Sequence, residues 1–108
     1  MNLTELINFL IHPEQLEELY KEQGVNTESE ALIIYLRETL SLKSEISFFT
    51  IEETEGDLSF TKDGVQYIAL FSVDHTLDLI EYDLDLKDKG YSDEAIAQRL
   101  LEYRINDA

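Results

Sequence analysis

The sequence predicts an α+β domain: N-terminal helices, then a three-stranded antiparallel meander, then two C-terminal helices. Two observations carry that expectation. Apolar residues recur at helical spacing near both ends of the chain. Between residues 46 and 73 the spacing becomes that of strands, punctuated by turn-forming Gly and Asp. The run of helices, then strands, then helices is the pattern of an α+β layer fold. With 108 residues, the whole chain, 1–108, is read as one domain with a single shallow core.

The first element, over 2–11, places Leu3, Leu6, Ile7 and Leu10 on one helical face, and Asn2 with Glu5 has the pattern of a capping box. Pro13 lacks an N–H and so breaks or kinks the chain at His12. A second helix follows over 13–22, with Leu16, Leu19 and Tyr20 inward and Gly24 placed to end it. Thr27 and Glu30 repeat the capping-box pattern. Ala31, Ile34, Tyr35 and the adjacent Leu32, Leu36 and Leu40 then read as a third helix with a wide apolar arc.

Residues 46–51 are β-branched and aromatic and read as a strand. Glu55-Gly56-Asp57 is a turn, 58–61 a short strand, and the Asp63-Gly64 pair a hairpin signal. A long strand follows over 65–73, with Val65, Tyr67, Ala69, Phe71 and Val73 on one side. The segment 75–89 satisfies two patterns. As a strand it alternates Ile80, Tyr82, Leu84 and Leu86 against charged residues. As a helix it makes one stripe of Leu77, Ile80 and Leu84 and another of Leu79, Tyr82 and Leu86. Asp is poor in strands, and Asp74 or Thr76 can cap a helix that stops at Gly90, so helix is the reading, with a fourth strand as its alternative. The last helix starts at Ser92, with Asp93 and Glu94 at its positive end. Tyr91 is placed to staple onto Ile96, and Ile96, Leu100 and Tyr103 face inward.

Charge is the outlying property: 24 Asp and Glu face 8 Lys and Arg, a net charge of −16. A chain of that sign is repelled by phosphate backbones and anionic lipid, so direct nucleic-acid binding and membrane association are not expected. A basic protein is the partner it favours, and solubility alone is the competing reason for such acidity. With no cysteine there are no disulfides or thiolate metal sites. No signal peptide or membrane-length apolar run is present, so a cytoplasmic protein is expected.

Chemistry-bearing motifs are sparse. His12 precedes Pro13 and reads as a turn residue. His75 follows Asp74 at the end of the long strand, where a cap-forming turn is the simpler account. No G-x-S-x-G elbow or Gly-rich phosphate loop occurs, and no carboxylate pair stands out among so many, so neither catalytic residues nor a cofactor are expected. The acids at Glu52, Glu53, Glu55 and Asp57, and at Asp83, Asp85 and Asp88, lack the EF-hand order of ligands, so no dedicated calcium site is expected. The string from Gly90 to Leu100 resembles the first helix of helix-turn-helix DNA-binding domains. No basic recognition helix follows it and the net charge opposes DNA, so it is read as a capped amphipathic helix.

What remains is an acidic surface. Residues 74–86 hold five acids, Asp74, Asp78, Glu81, Asp83 and Asp85, and no Lys or Arg. Residues 44–61 are equally one-sided. These five acids are the expected partner-binding residues, with exposed tyrosines as anchors. The function this suggests is a small protein-binding module, an immunity- or antitoxin-like inhibitor of a basic partner such as a nuclease, by analogy of size and charge. A nucleic-acid mimic and a homo-oligomeric accessory protein without catalytic activity are the alternatives.

Overall fold

A computed structural model describes residues 1–24, 32–83 and 90–107, and among these residues the chain forms five α-helices and four antiparallel strands. Helix α1 (Leu3–Ile11) begins at the expected capping box: Asn2 Oδ1 accepts from the Glu5 N–H at 2.9 Å, and Glu5 Oε1 accepts from the Asn2 N–H at 3.0 Å. Pro13–Gln15 forms one tight 3₁₀ turn, where the missing N–H of Pro13 costs nothing, and α2 (Leu16–Glu22) continues from it. The strands are β1 (Leu32–Arg37), β2 (Ile46–Thr50), β3 (Ser59–Lys62) and β4 (Val65–Ser72). The short helix α3 (Ile51–Thr54) follows β2, and α4 (Val73–Asp78) follows β4. A π turn over Leu79–Asp83 extends α4, and α5 (Asp93–Asp107) completes the order.

The strand at 32–37 corrects the expected third helix. All but Arg37 at its end are apolar, and β1 is covered on both faces, so its sequence shows a continuous apolar run in place of alternation. Periodicity cannot separate such a run from a buried helix. The Thr27–Glu30 capping pattern lies outside the described residues. The three expected strands all form and join one antiparallel sheet, but β1 enters between two of them, giving the order β2-β1-β4-β3. Only β3 and β4 remain hairpin neighbours, joined by Asp63 and Gly64, both at positive φ as a two-residue hairpin turn requires. The fourth strand therefore arises at 32–37. The segment offered as its alternative is helical as far as Asp83, while 84–89 lie outside the described residues. Its cap is Ser72, whose Oγ accepts from the His75 N–H at 3.2 Å, in place of the expected Asp74 or Thr76.

One face of the sheet carries the helices. Ile34 and Leu36 of β1, Ile46 and Phe48 of β2 and Leu70 of β4 pack with Leu3, Leu6, Ile7 and Leu10 of α1 and with Ile96, Ala97, Leu100 and Leu101 of α5. Between β1 and β4 the register shifts by one between Ile33 and Tyr35. This bulge puts two β4 residues opposite one of β1, and the consecutive Leu70 and Phe71 both reach the helical core.

The opposite face has its own small core of Tyr35, Phe49 and Ala69, flanked by Ile33, Phe60 and Tyr67. The rings of Phe49 on β2 and Phe60 on β3 stand 5.2 Å apart. In a flat sheet these two strands would be about 14 Å apart. The sheet therefore curls, bringing its two edge strands toward each other over this face. Residues 51–58 link β2 to β3 on that side, and Tyr35, fully buried, donates its O–H to the Asp57 carbonyl at 2.6 Å. Thr50 and Glu53 anchor the start of this strap with a reciprocal capping box.

The two cores should differ in weight. Leu100→Ala, in the fully buried helical layer, is expected to cost about 2–5 kcal/mol. Tyr35→Phe keeps the ring and loses one hydrogen bond to an exposed loop, and is expected to cost about 0.5–1.5 kcal/mol. Urea unfolding of the two variants beside the wild type checks both values.

Candidate functional site

The expected acidic site falls on α4 and its π extension. Ser72 sets the helix phase, so Val73, Thr76, Leu79 and Ile80 turn inward while Asp74, Asp78 and Tyr82 stand exposed at intervals of four. Of the five expected residues, Asp74 and Asp78 thus share one exposed face. Glu81 is half-buried and has an interaction partner of its own. The backbone of Asp83 ends the π turn, its side chain lies outside the described residues, and so does the whole of Asp85.

Tyr82 is the residue that the helical pattern misplaced. A regular α-helix puts it on one stripe with Leu79, yet Leu79 is fully buried and Tyr82 is 72% exposed. A π turn advances less per residue than an α turn, which carries Tyr82 further round from Leu79 and onto the acidic side. Of the other tyrosines, Tyr35 is buried, Tyr20, Tyr67 and Tyr103 are half-buried, and Tyr91 packs near the Arg99 guanidinium at 5.8 Å. Tyr82 is therefore the most exposed aromatic side chain among the described residues, and it stands beside Asp78.

Tyr20 of α2 packs edge-on against Phe48, with ring centroids 5.5 Å apart. Burial raises the Tyr20 pKa, and the negative charge of Asp74 raises it further. That coupling puts Tyr20 of α2 within electrostatic reach of Asp74 at the start of α4. Sequence separation hid this neighbourhood, since the two segments are about fifty residues apart.

The other candidates have structural roles. His12 follows α1 and leads into the 3₁₀ turn, with Nδ1 3.9 Å from Glu14. His75 sits in the first turn of α4, its ring 5.2 Å from that of Phe71. In the acidic run of the strap, Glu53 is taken up by the Thr50 cap. Among the described residues no three His, Asp or Glu side chains group so as to hold a metal ion, and no helix is long and apolar enough to cross a membrane. The chain matches no known protein family, curated protein or solved structure.

Tyr20 carries a pH signature. Tyr20 holds its proton more tightly in the folded chain than in the unfolded one, so its contribution is complete below the ordinary tyrosine value of about 10. It is lost as pH rises through that value and beyond. Phenolate absorbance, taken as the difference between wild type and Tyr20→Phe, should show Tyr20 titrating above the free phenol. Asp74→Asn should move that midpoint down, because it removes the second of the two causes.

Proposed function

We propose that this chain is a small acidic protein-binding module, most concretely an immunity- or antitoxin-like inhibitor that covers a basic partner such as a nuclease. The observation that carries this reading is the exposed stripe of Asp74 and Asp78 on α4 and Tyr82 on its π extension, in a chain of net charge −16. Each part has a physical task. The overall negative field steers a basic partner toward the chain and raises the encounter rate. Carboxylates on a regular helix face sit at repeatable spacing and match Lys and Arg on the partner. Tyr82 brings an apolar body with a polar tip, and its ring face also attracts cations.

This division of labour separates rate from residence. Rim charges act mainly on association, whereas a desolvated aromatic anchor acts mainly on dissociation.

The experiment is capture of partners from lysate of the source cells by the tagged protein, eluted across a salt gradient, followed by kinetics with the purified partner. The expected capture is a basic protein released by moderate salt. Asp74→Lys with Asp78→Lys should slow association by about tenfold to a hundredfold at low salt. Tyr82→Ala should mainly speed dissociation, at a cost of about 1–2 kcal/mol. Both variants should fold, since all three side chains face solvent. A partner that is not basic, or binding indifferent to both variants, would overturn the reading.

A further inference from the structure

The two edges of the sheet are finished differently. On β2 the residues with outward backbone groups are Ile46, Phe48 and Thr50, because the Arg37 N–H donates to the Glu45 carbonyl on the inner side. Two of those three outward positions are occupied. The Ile46 N–H donates to the Met1 carbonyl at 2.9 Å, and the Thr50 N–H donates to Glu53 Oε1 at 3.2 Å. The remaining position, Phe48, has the Tyr20 ring standing against its side chain. That edge is blunted in the way natural sheets avoid strand addition.

Among the described residues, the β3 edge has no such cover. The two-residue turn pairs Lys62 with Val65, and the Ala69 N–H donates to the Leu58 carbonyl at 2.9 Å, so Leu58, Phe60 and Lys62 point their backbone groups inward to β4. By alternation Ser59 and Thr61 point theirs outward. Both residues are exposed, and among the described residues β3 pairs with β4 alone. Leu58, 66% exposed, stands at the start of the same edge.

We propose that the outer edge of β3 is a strand-pairing site that takes an extended, basic segment of a partner protein. The inference rests on the reading of this chain as a binder of basic proteins and adds a second, main-chain contact to it. Ser59 and Thr61 supply donors and acceptors for the incoming backbone, and alternate apolar residues of that strand lie beside Leu58 and Phe60. Charge selects the occupant. Glu55, Asp57 and Asp63 flank the edge against a single Lys62, and the whole chain is at −16, so a second copy is repelled where a basic segment is attracted.

The test is amide hydrogen exchange of the full chain with a synthetic peptide of alternating lysine and valine, and with the same peptide N-methylated at every residue. The methylated peptide keeps its charge and cannot pair as a strand. The unmodified peptide should slow exchange at the Ser59 and Thr61 amides by about tenfold, and the methylated one should leave them unchanged. Thr61→Pro removes one outward N–H at an edge position that tolerates proline, and should abolish the protection at Ser59. Equal effects of the two peptides, with shifts confined to Asp74, Asp78 and Tyr82, would overturn the edge site and leave the acidic module standing. No binding of either peptide would remove both. Protection of Ser59 and Thr61 without peptide, growing with protein concentration, would assign the edge to a second copy and overturn the basic occupant.

Discussion

Strand β1 buries side chains on both of its faces, and this single requirement organises the rest of the molecule. Ile34 and Leu36 point one way and Tyr35 the other, and all three are fully shielded from water. Each face therefore needs its own cover. The helices α1 and α5 supply one, through a layer of Leu and Ile side chains. Among the described residues, α1, α2, α4 and α5 all contribute to that first core, so the sheet curls and closes the other face with its own rings. Phe49 and Phe60 meet Tyr35 there and Tyr67 meets Phe49, in mostly edge-to-face contacts, and the strap at 51–58 lies over them. Lys62 adds its ammonium 5.5 Å from the Phe49 ring centre. The aromatic composition of the strands, otherwise unexplained, follows from this need to fill a curved space without helices.

The same architecture decides where the negative charge is displayed. The helices take the outer layer on one side, and their polar faces are what solvent meets. A surface this acidic gains little from its ion pairs: Arg37 with Glu45 and Arg99 with Glu102 are exposed and 3.9–4.0 Å apart, the range in which pairs contribute least. The excess carboxylates repel one another, and that cost is balanced by the two cores. On the proposed reading, a basic partner would relieve this repulsion on binding, so the charge that burdens the free chain would favour the complex. The proposed α4 stripe and β3 edge draw on this one field and differ in what they add to it, side-chain contact in one and main-chain pairing in the other.

Much of the local structure was legible in the sequence because it depends on neighbours three or four residues away. The Asn2–Glu5 capping box, the stop at Gly24, the Asp63-Gly64 hairpin and the Ser92 start of α5 are all of this kind. The Thr50–Glu53 box has the same signature, but it sits at the end of a β-branched and aromatic run whose strand pattern masks it. Leu32 to Leu36 failed for the opposite reason. Its apolar run reports burial on two faces, and burial by itself does not distinguish helix from central strand. The candidate site divides along the same line. The acids of α4 could be named, but their sharing a face with Tyr82 depends on the phase set by Ser72 and on the π turn.

By itself, the sequence determined the charge, the presence of helices at both ends, the hairpin, and the absence of thiol chemistry. Each of these is a property of composition or of contacts within one turn. Only the tertiary structure decided that β1 sits inside the sheet, that Tyr20 packs on Phe48, and that one sheet edge is closed by Met1 and Glu53 while the other, among the described residues, has no such partner. These depend on which distant segments share a space, and chain entropy leaves many such pairings open until a core selects among them. That selection is made by the burial of Ile34, Tyr35 and Leu36, whose two-sided demand for cover no local pattern records.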